Sequence, residues 1–230
     1  MRVMSYNLKG LQLDENAAVA VVRLAQVDVL GVQEPPRGPL RKARLRRWAE
    51  RAGLRVVVDD FAARTTALLA RPDAVVEAPR AHRLPWRVGW TRRGFATARV
   101  DGVEVVVLHL SVHPEERARH LDLVEAYLAQ VQGPLVVVGD LNEGPDGPAW
   151  QRLARYAQDT AGGRAAPTFR ASGPRHRIDA VLASPELEAR KSRVLRDAAA
   201  RRASDHLPLV VDVAGVDAAG EDVGAGSSRV

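Results

Sequence analysis

The sequence predicts an α/β fold in which two packed, mixed sheets are flanked by helices. Three observations lead there. Short runs rich in Val, Leu and Ile alternate with amphipathic helical patterns along the 230 residues. An Asp101-Gly102 turn signal between two such runs calls for an antiparallel hairpin, so the sheets are mixed. The helical patterns are spread along the chain, and two sheets with helices outside them would bury every apolar face.

Taken in order, residues 2–8 read as a strand, 14–26 as a helix and 28–33 as a second strand. A helix over 39–52 has a buried stripe of Leu45, Trp48, Ala49 and Ala52. Its other side carries Arg41, Lys42, Arg44, Arg46, Arg47 and Arg51, a basic outer face. Strands follow at 55–59 and 66–71, then the hairpin pair 95–100 and 103–110. A helix over 115–131 sets Leu121, Val124, Leu128 and Val131 on one face, and Pro114 suits its start. A strand over 135–140, a helix over 147–157 and strands at 178–183 and 207–213 complete the pattern. Residues 215–230 lack large apolar groups and read as a flexible tail behind one domain of residues 1–214.

Composition narrows the chemistry. There is no cysteine, which excludes disulfides and thiolate metal sites. Basic residues exceed acidic ones, 34 to 28, and the pI is about 10.4. A polyanionic partner is favoured: nucleic acid, phospholipid or a phosphorylated metabolite. A GC-rich coding bias, with its high Ala, Arg, Val and Gly, explains the excess equally well. No secretory signal and no membrane span is expected, because the most apolar stretch, 17–32, contains Arg23, Gln26 and Asp28. A cytoplasmic monomer is the expectation.

The strand ends are unusual. "VMSYN" ends at Asn7, "DVLGVQE" at Glu34 and "VEVVVLHL" carries His109 at its close. In "LVVVGDLN" four apolar residues run through a glycine into Asp140 and Asn142, which strand alternation would turn to one side. Asp179 opens "DAVLAS", and Asp205 and His206 precede "LPLVVDV". Singly, each has a structural explanation. Asn7 suits a turn, Glu34 a loop before Pro35, His109 an apolar core, and Asp179 a surface ion pair with Arg177. Together they argue for strand ends converging on a polar cleft.

Acids and amides without thiolates are hard-cation ligands. Glu34, Asn7 and Asp205 suit magnesium or manganese better than zinc, since no His-Glu-x-x-His helix is present. No phosphate loop and no Gly-x-Ser-x-Gly elbow occurs. Histidine, carboxylate and a hard cation point to phosphoester hydrolysis by water.

The order "SYNL", "VQE", "LHLS", "VVGDLN", "RIDAVLAS", "SDHLPLVVDV" resembles the endonuclease/exonuclease/phosphatase superfamily, the group of deoxyribonuclease I, over residues 1 to 213. The resemblance implies a four-layer α/β/β/α sandwich with its site at one edge of the two sheets. It implies that Asn7 and Glu34 belong to a Mg2+ (or Mn2+) site and that Asp205 touches the metal, sometimes through water. Asp140 would align the attacking water or ligate a second metal, with Asn142 contacting nucleophile and phosphoryl oxygens. His206 would be the catalytic histidine and Asp179 its orienting partner. His109 matches the phosphate-binding histidine of the deoxyribonuclease and sphingomyelinase branches, where apurinic-site endonucleases usually carry tyrosine. The first expectation is a phosphodiesterase acting on nucleic acid, with DNA favoured. The alternatives are a phosphatase or phosphodiesterase acting on a lipid head group or small phosphorylated metabolite, and a non-catalytic binding module.

Overall fold

The computed structural model describes residues 1–162 and 166–216. Most of the tail expected over 215–230 lies outside them. The chain runs β1 (Arg2–Asn7), α1 (Glu15–Ala25), β2 (Val29–Gln33), α2 (Arg41–Ala52), β3 (Arg55–Val58), β4 (Thr66–Ala70) and β5 (Val76–Arg83). It continues β6 (Gly94–Val100), β7 (Val103–His109), α3 (Pro114–Leu128), β8 (Leu135–Asp140), α4 (Pro148–Leu153) and β9 (Gln158–Asp159). The last elements are β10 (Asp179–Ala183), β11 (Leu187–Val194), α5 (Ala198–Ala203) and β12 (Leu209–Gly215). Among the described residues no helix is long and apolar enough to cross a membrane.

Two six-stranded sheets form, ordered β11-β12-β1-β2-β4-β3 and β5-β6-β7-β8-β10-β9. Both are mixed: β1–β2 and β7–β8 are parallel, and the other pairings are antiparallel. The fold is the four-layer sandwich, and three apolar layers hold it together. One joins α1, α2 and α5 to the first sheet through Tyr6, Leu30, Trp48 and Val22. The second lies between the sheets and is built largely of Val and Ala, including Val3, Val29, Val107, Val138 and Val211. The third joins the second sheet to α3 and α4 through Leu108, Leu121, Val124 and Trp150. Gly31 lets the sheets approach closely, because a Cβ there would meet Val138 Cγ2 at 2.1 Å.

Local chemistry explains the elements. Asp14 caps α1 by accepting the Ala17 amide at 2.8 Å. Pro114 occupies the first turn of α3, where its missing N–H costs nothing. Asp101 and Gly102 take left-handed φ values of 49° and 82°, the geometry of a tight β6–β7 hairpin. The buried stripe of α2 is Leu45, Trp48, Ala49 and Ala52, as its periodicity requires. Its basic face is less free than the sequence suggests. Arg41 pairs with Asp59, and Arg44 and Arg51 both pair with Glu15.

The helix expected over 147–157 stops at Leu153, and α3 stops at Leu128, leaving Val131 outside it. Four elements carried no signal: β5, β9, β11 and α5. The first and third are edge strands with largely exposed side chains, so they need no apolar alternation. Both also break register, β5 around Pro79 and β11 between Ala189 and Lys191. The two-residue β9 and the six-residue α5 are too short to show a period.

Candidate active site

Strand alternation builds the site. In β1 the odd residues face the other sheet: Val3 lies in the inter-sheet layer and Met4 and Tyr6 in the helix layer. Asn7 continues the inter-sheet row. The same parity carries Val107 on to His109 in β7 and Val138 on to Asp140 in β8. In β10, which runs antiparallel to β8, it carries Val181 back to Asp179. The register sets His109 opposite Asp140 and Asp140 opposite Asp179. The dry layer between the sheets therefore ends, at one edge, in a cluster of polar side chains. All four are nearly inaccessible, Asn7 at 1%, His109 at 4%, Asp140 at 2% and Asp179 at 1% exposure.

His206 joins them from the loop before β12. The segment 168–171 fixes that loop: Leu207 N–H donates to Thr168 O at 2.8 Å and Ala171 N–H to Asp205 O at 2.7 Å. Ser204 Oγ ties the loop to β1 by donating to Asn7 O at 2.6 Å. The Phe169 ring leans on the imidazole, with centroids 4.7 Å apart. His206 Nδ1 donates to both Asp179 oxygens, at 3.0 and 3.2 Å. Burial alone would lower the imidazole pKa, but the charge and hydrogen bond of Asp179, with Asp140 and Asp205 nearby, lift it to about 9. Asp179 is thus not half of a surface pair with Arg177, which binds Asp159 instead.

Asp140 is the hub. Its Oδ2 is 3.2 Å from Asn7 Nδ2, 3.7 Å from His109 Nε2 and 3.8 Å from His206 Nε2. The two imidazole distances exceed a hydrogen bond, so both ring nitrogens keep capacity for a ligand. Burial, then repulsion from Asp179, pushes the Asp140 carboxyl up to about 7. Burial holds His109 well below its ordinary pKa, so it is neutral. The site therefore pairs one cationic and one neutral imidazole around a carboxylate.

Glu34 stands beside this group. Its backbone is left-handed, with φ 50° before Pro35, and is pinned on both sides. Glu34 N–H donates to Thr65 O at 2.9 Å, and Gly10 N–H donates to Glu34 O at 2.8 Å. Asn7 Nδ2 lies 3.4 Å from Glu34 Oε1, and Lys9 N–H donates to Asn7 Oδ1 at 3.0 Å. One amide thus bridges two carboxylates. Asp205 is half-buried and pairs with Lys9 Nζ at 2.9 Å. Asn142 lies past the end of β8 with φ 53°, so strand alternation does not orient it. Its N–H donates to Asp140 Oδ1 at 2.9 Å and its Nδ2 to Leu110 O at 2.8 Å.

One neighbour escaped the sequence reading. Arg93, just before β6, is 7% exposed and donates to His109 O at 3.1 Å. Its Nε has no partner among the described residues. Burial lowers its pKa, while Asp140, Glu116 and Glu34 raise it. It stood unmarked in an arginine-rich chain, and only its place before a strand-opening glycine distinguishes it.

The donor set fits a hard divalent cation. Carboxylate oxygens of Glu34 and Asp140 face one amide, and the raised pKa of Asp140 marks a buried acid short of positive charge. Asp140, Asp179 and His206 also offer atoms within 4.8 Å of one another. In that trio the Asp179–His206 hydrogen bonds occupy Nδ1, which favours the pair as an oriented base and acid.

A buried acid–imidazole pair beside hard oxygen donors, at one edge of two stacked sheets, defines the metal-dependent phosphoesterase class. The chain belongs to the endonuclease/exonuclease/phosphatase family, whose profile matches residues 4–206. No curated protein matches the chain. Among solved structures it is similar to an endonuclease/exonuclease/phosphatase from Beutenbergia cavernae, at 25% identity and TM-score 0.72, covering 94% of this chain and 71% of that one. A mannosyl-6-phosphatase from Bacteroides thetaiotaomicron aligns at 18% identity and TM-score 0.73, covering 93% and 99%. An AP endonuclease from Archaeoglobus fulgidus aligns at 18% and TM-score 0.68, covering 92% and 98%.

Proposed function

We propose that the chain is a phosphodiesterase that cleaves nucleic acid, DNA in preference, by water attack on phosphorus. The observation that carries the hydrolytic part is the Asp179–His206 pair facing Asp140 across 3.8 Å. Glu34 and Asn7 would hold a Mg2+ or Mn2+ ion, with Asp205 reaching it directly or through water. A bound divalent cation supplies charge to offset the negative charge that develops on the phosphoryl oxygens. Asp140 orients the attacking water, with Asn142 steadying the Asp140 carboxylate through its N–H. His206 shares the proton handling with Asp140, and Asp179 fixes its ring and supports its cationic form. His109 and Arg93 donate to phosphoryl oxygens.

The polynucleotide part rests on the basic charge and on arginines grouped near Glu34. Relatives of the same fold include a sugar phosphatase and a nuclease, so the substrate is decided by assay. With Mg2+ or Mn2+, plasmid, linear and abasic DNA, RNA, inositol phosphates and sphingomyelin form the panel. The expected result is metal-stimulated cleavage of DNA, abolished by chelation and weakened steeply by added salt. Release of free phosphate or a head group, with polynucleotides intact, would replace this reading with the small-substrate one.

A further inference from the structure

Past Glu34, next to Pro36, lies a cavity of about 380 Å³, lined by Arg37, Arg41, Phe61, Arg64, Thr65 and Arg92 among others. No acidic side chain lines it. Among the described residues, Arg41 alone of the four arginines has a carboxylate partner, Asp59 at 2.9 Å. Arg64 instead lies on the Phe61 ring at 3.6 Å, and Arg92 on the Trp86 ring at 3.9 Å. Aromatic faces hold these guanidiniums in place without neutralising them. The crowding has an electrostatic cost: burial, then Arg92, Arg83 and Arg41, lowers the Arg64 pKa. A fold gains nothing in stability by gathering uncompensated like charges around a hollow, whereas a bound anion relieves them.

The cavity is joined to the reaction centre. Thr65, on its wall, accepts the Glu34 amide at 2.9 Å. Arg37 follows Glu34 by three residues, and its charge acts on both His109 and Arg93. A substrate whose scissile phosphate sits between His109 and His206 would extend past Glu34 into this hollow.

We propose that the cavity is a subsite for a second phosphate of the substrate, gripped by Arg37, Arg64 and Arg92 while Phe61 offers an apolar face to the group between the two phosphates. The subsite rests on the hydrolase reading above. Three guanidiniums offer more forked N–H donors than the two oxygens of a lone carboxylate can accept, and the oxygens of a phosphate use them better. On a polynucleotide the second phosphate is the neighbouring one of the strand, and on a small substrate it is the second phosphate of a bisphosphate.

The test compares wild type with a double variant, Arg64→Asn with Arg92→Ala, in Mg2+ or Mn2+. Asn is chosen because Arg64 has a left-handed φ of 57°, which Asn tolerates. Three substrates are used: a short thymidine oligonucleotide, an inositol bisphosphate and bis-p-nitrophenyl phosphate, which has a single phosphorus. The double variant is expected to lose about 10–100-fold in kcat/KM on whichever of the first two wild type cleaves, the size of losing charge-assisted phosphate contacts. Hydrolysis of bis-p-nitrophenyl phosphate should stay within about twofold, which also shows that the variant folds and that the reaction centre is intact. Loss on the oligonucleotide assigns the cavity to the strand, and loss on the bisphosphate assigns it to a small substrate. Equal change on all substrates, or none on any, overturns the subsite and leaves the hydrolase reading standing. Wild type inert towards all three overturns both.

Discussion

Substituting His206→Ala is expected to lower the hydrolytic rate by about 10²–10⁴-fold, the range typical of a positioned acid–base group. The imidazole is 5% exposed and has no substitute: its Nε2 faces Asp140 while Asp179 holds Nδ1 at 3.0 Å. A folded His206→Ala protein with an unchanged rate would reject its role. Asp179→Asn isolates the cause. The ring stays, but the largest of the charges that lift its pKa goes, while burial, which lowers it, remains. An NMR titration of His206 should therefore fall from about 9 in wild type to a clearly lower value in the variant, with Asp140 and Asp205 still holding it up against burial. A histidine with a raised folded pKa contributes fully to stability below about 6.5, and the contribution fades as pH rises through about 9. Asp179→Asn should flatten that alkaline decline.

The second large effect is on folding. Gly139 precedes Asp140 in β8 and sits opposite Leu108 of the parallel neighbour β7. A Cβ at this position would meet Leu108 O at 2.3 Å and Leu108 C at 2.8 Å. These are backbone atoms of a central pair, so neither can swing aside. Overpacking in a core costs about 1–3 kcal/mol where side chains can adjust. Gly139→Ala should reach or exceed the top of that range, read as a fall in urea midpoint. It should also disturb activity, because the next register pair is His109 and Asp140. A variant within about 0.5 kcal/mol of wild type would show that the strands can part without cost.

Much of this was legible in the sequence because one physical rule generates both the fold and the cleft. Period-2 alternation lays Val3, Val107, Val138 and Val181 into the dry inter-sheet layer. The same rule, run on to the strand ends, brings Asn7, His109, Asp140 and Asp179 to one place. Glu34 and His206 were marked by their neighbours in sequence, and the structure brings both to that edge. What stayed hidden obeys no local period. Edge strands β5 and β11 face solvent and bury too little to leave a pattern. Asn142 was expected to share the side of Asp140 by alternation, but the strand ends first, and left-handed backbone turns its amide to Leu110. Asp205 finds Lys9 across 196 residues, a pairing no spacing announces. The sequence shows only a basic outer face on α2, and gives no sign that Glu15 and Asp59 neutralise half of its six cations. Arg93 and the arginine cavity belong to loops whose neighbours are set only by the tertiary fold.

In the proposed enzyme, side chains from position 7 to position 206 surround one catalytic cation. Anomalous scattering from crystals grown with Mn2+ tests it most directly. The expected map has a peak at ligand distance from the Glu34 carboxylate, beside Asn7 and Asp140, and that peak disappears in Glu34→Gln. A map whose Mn2+ peaks all lie away from Glu34 and Asp140 would contradict it.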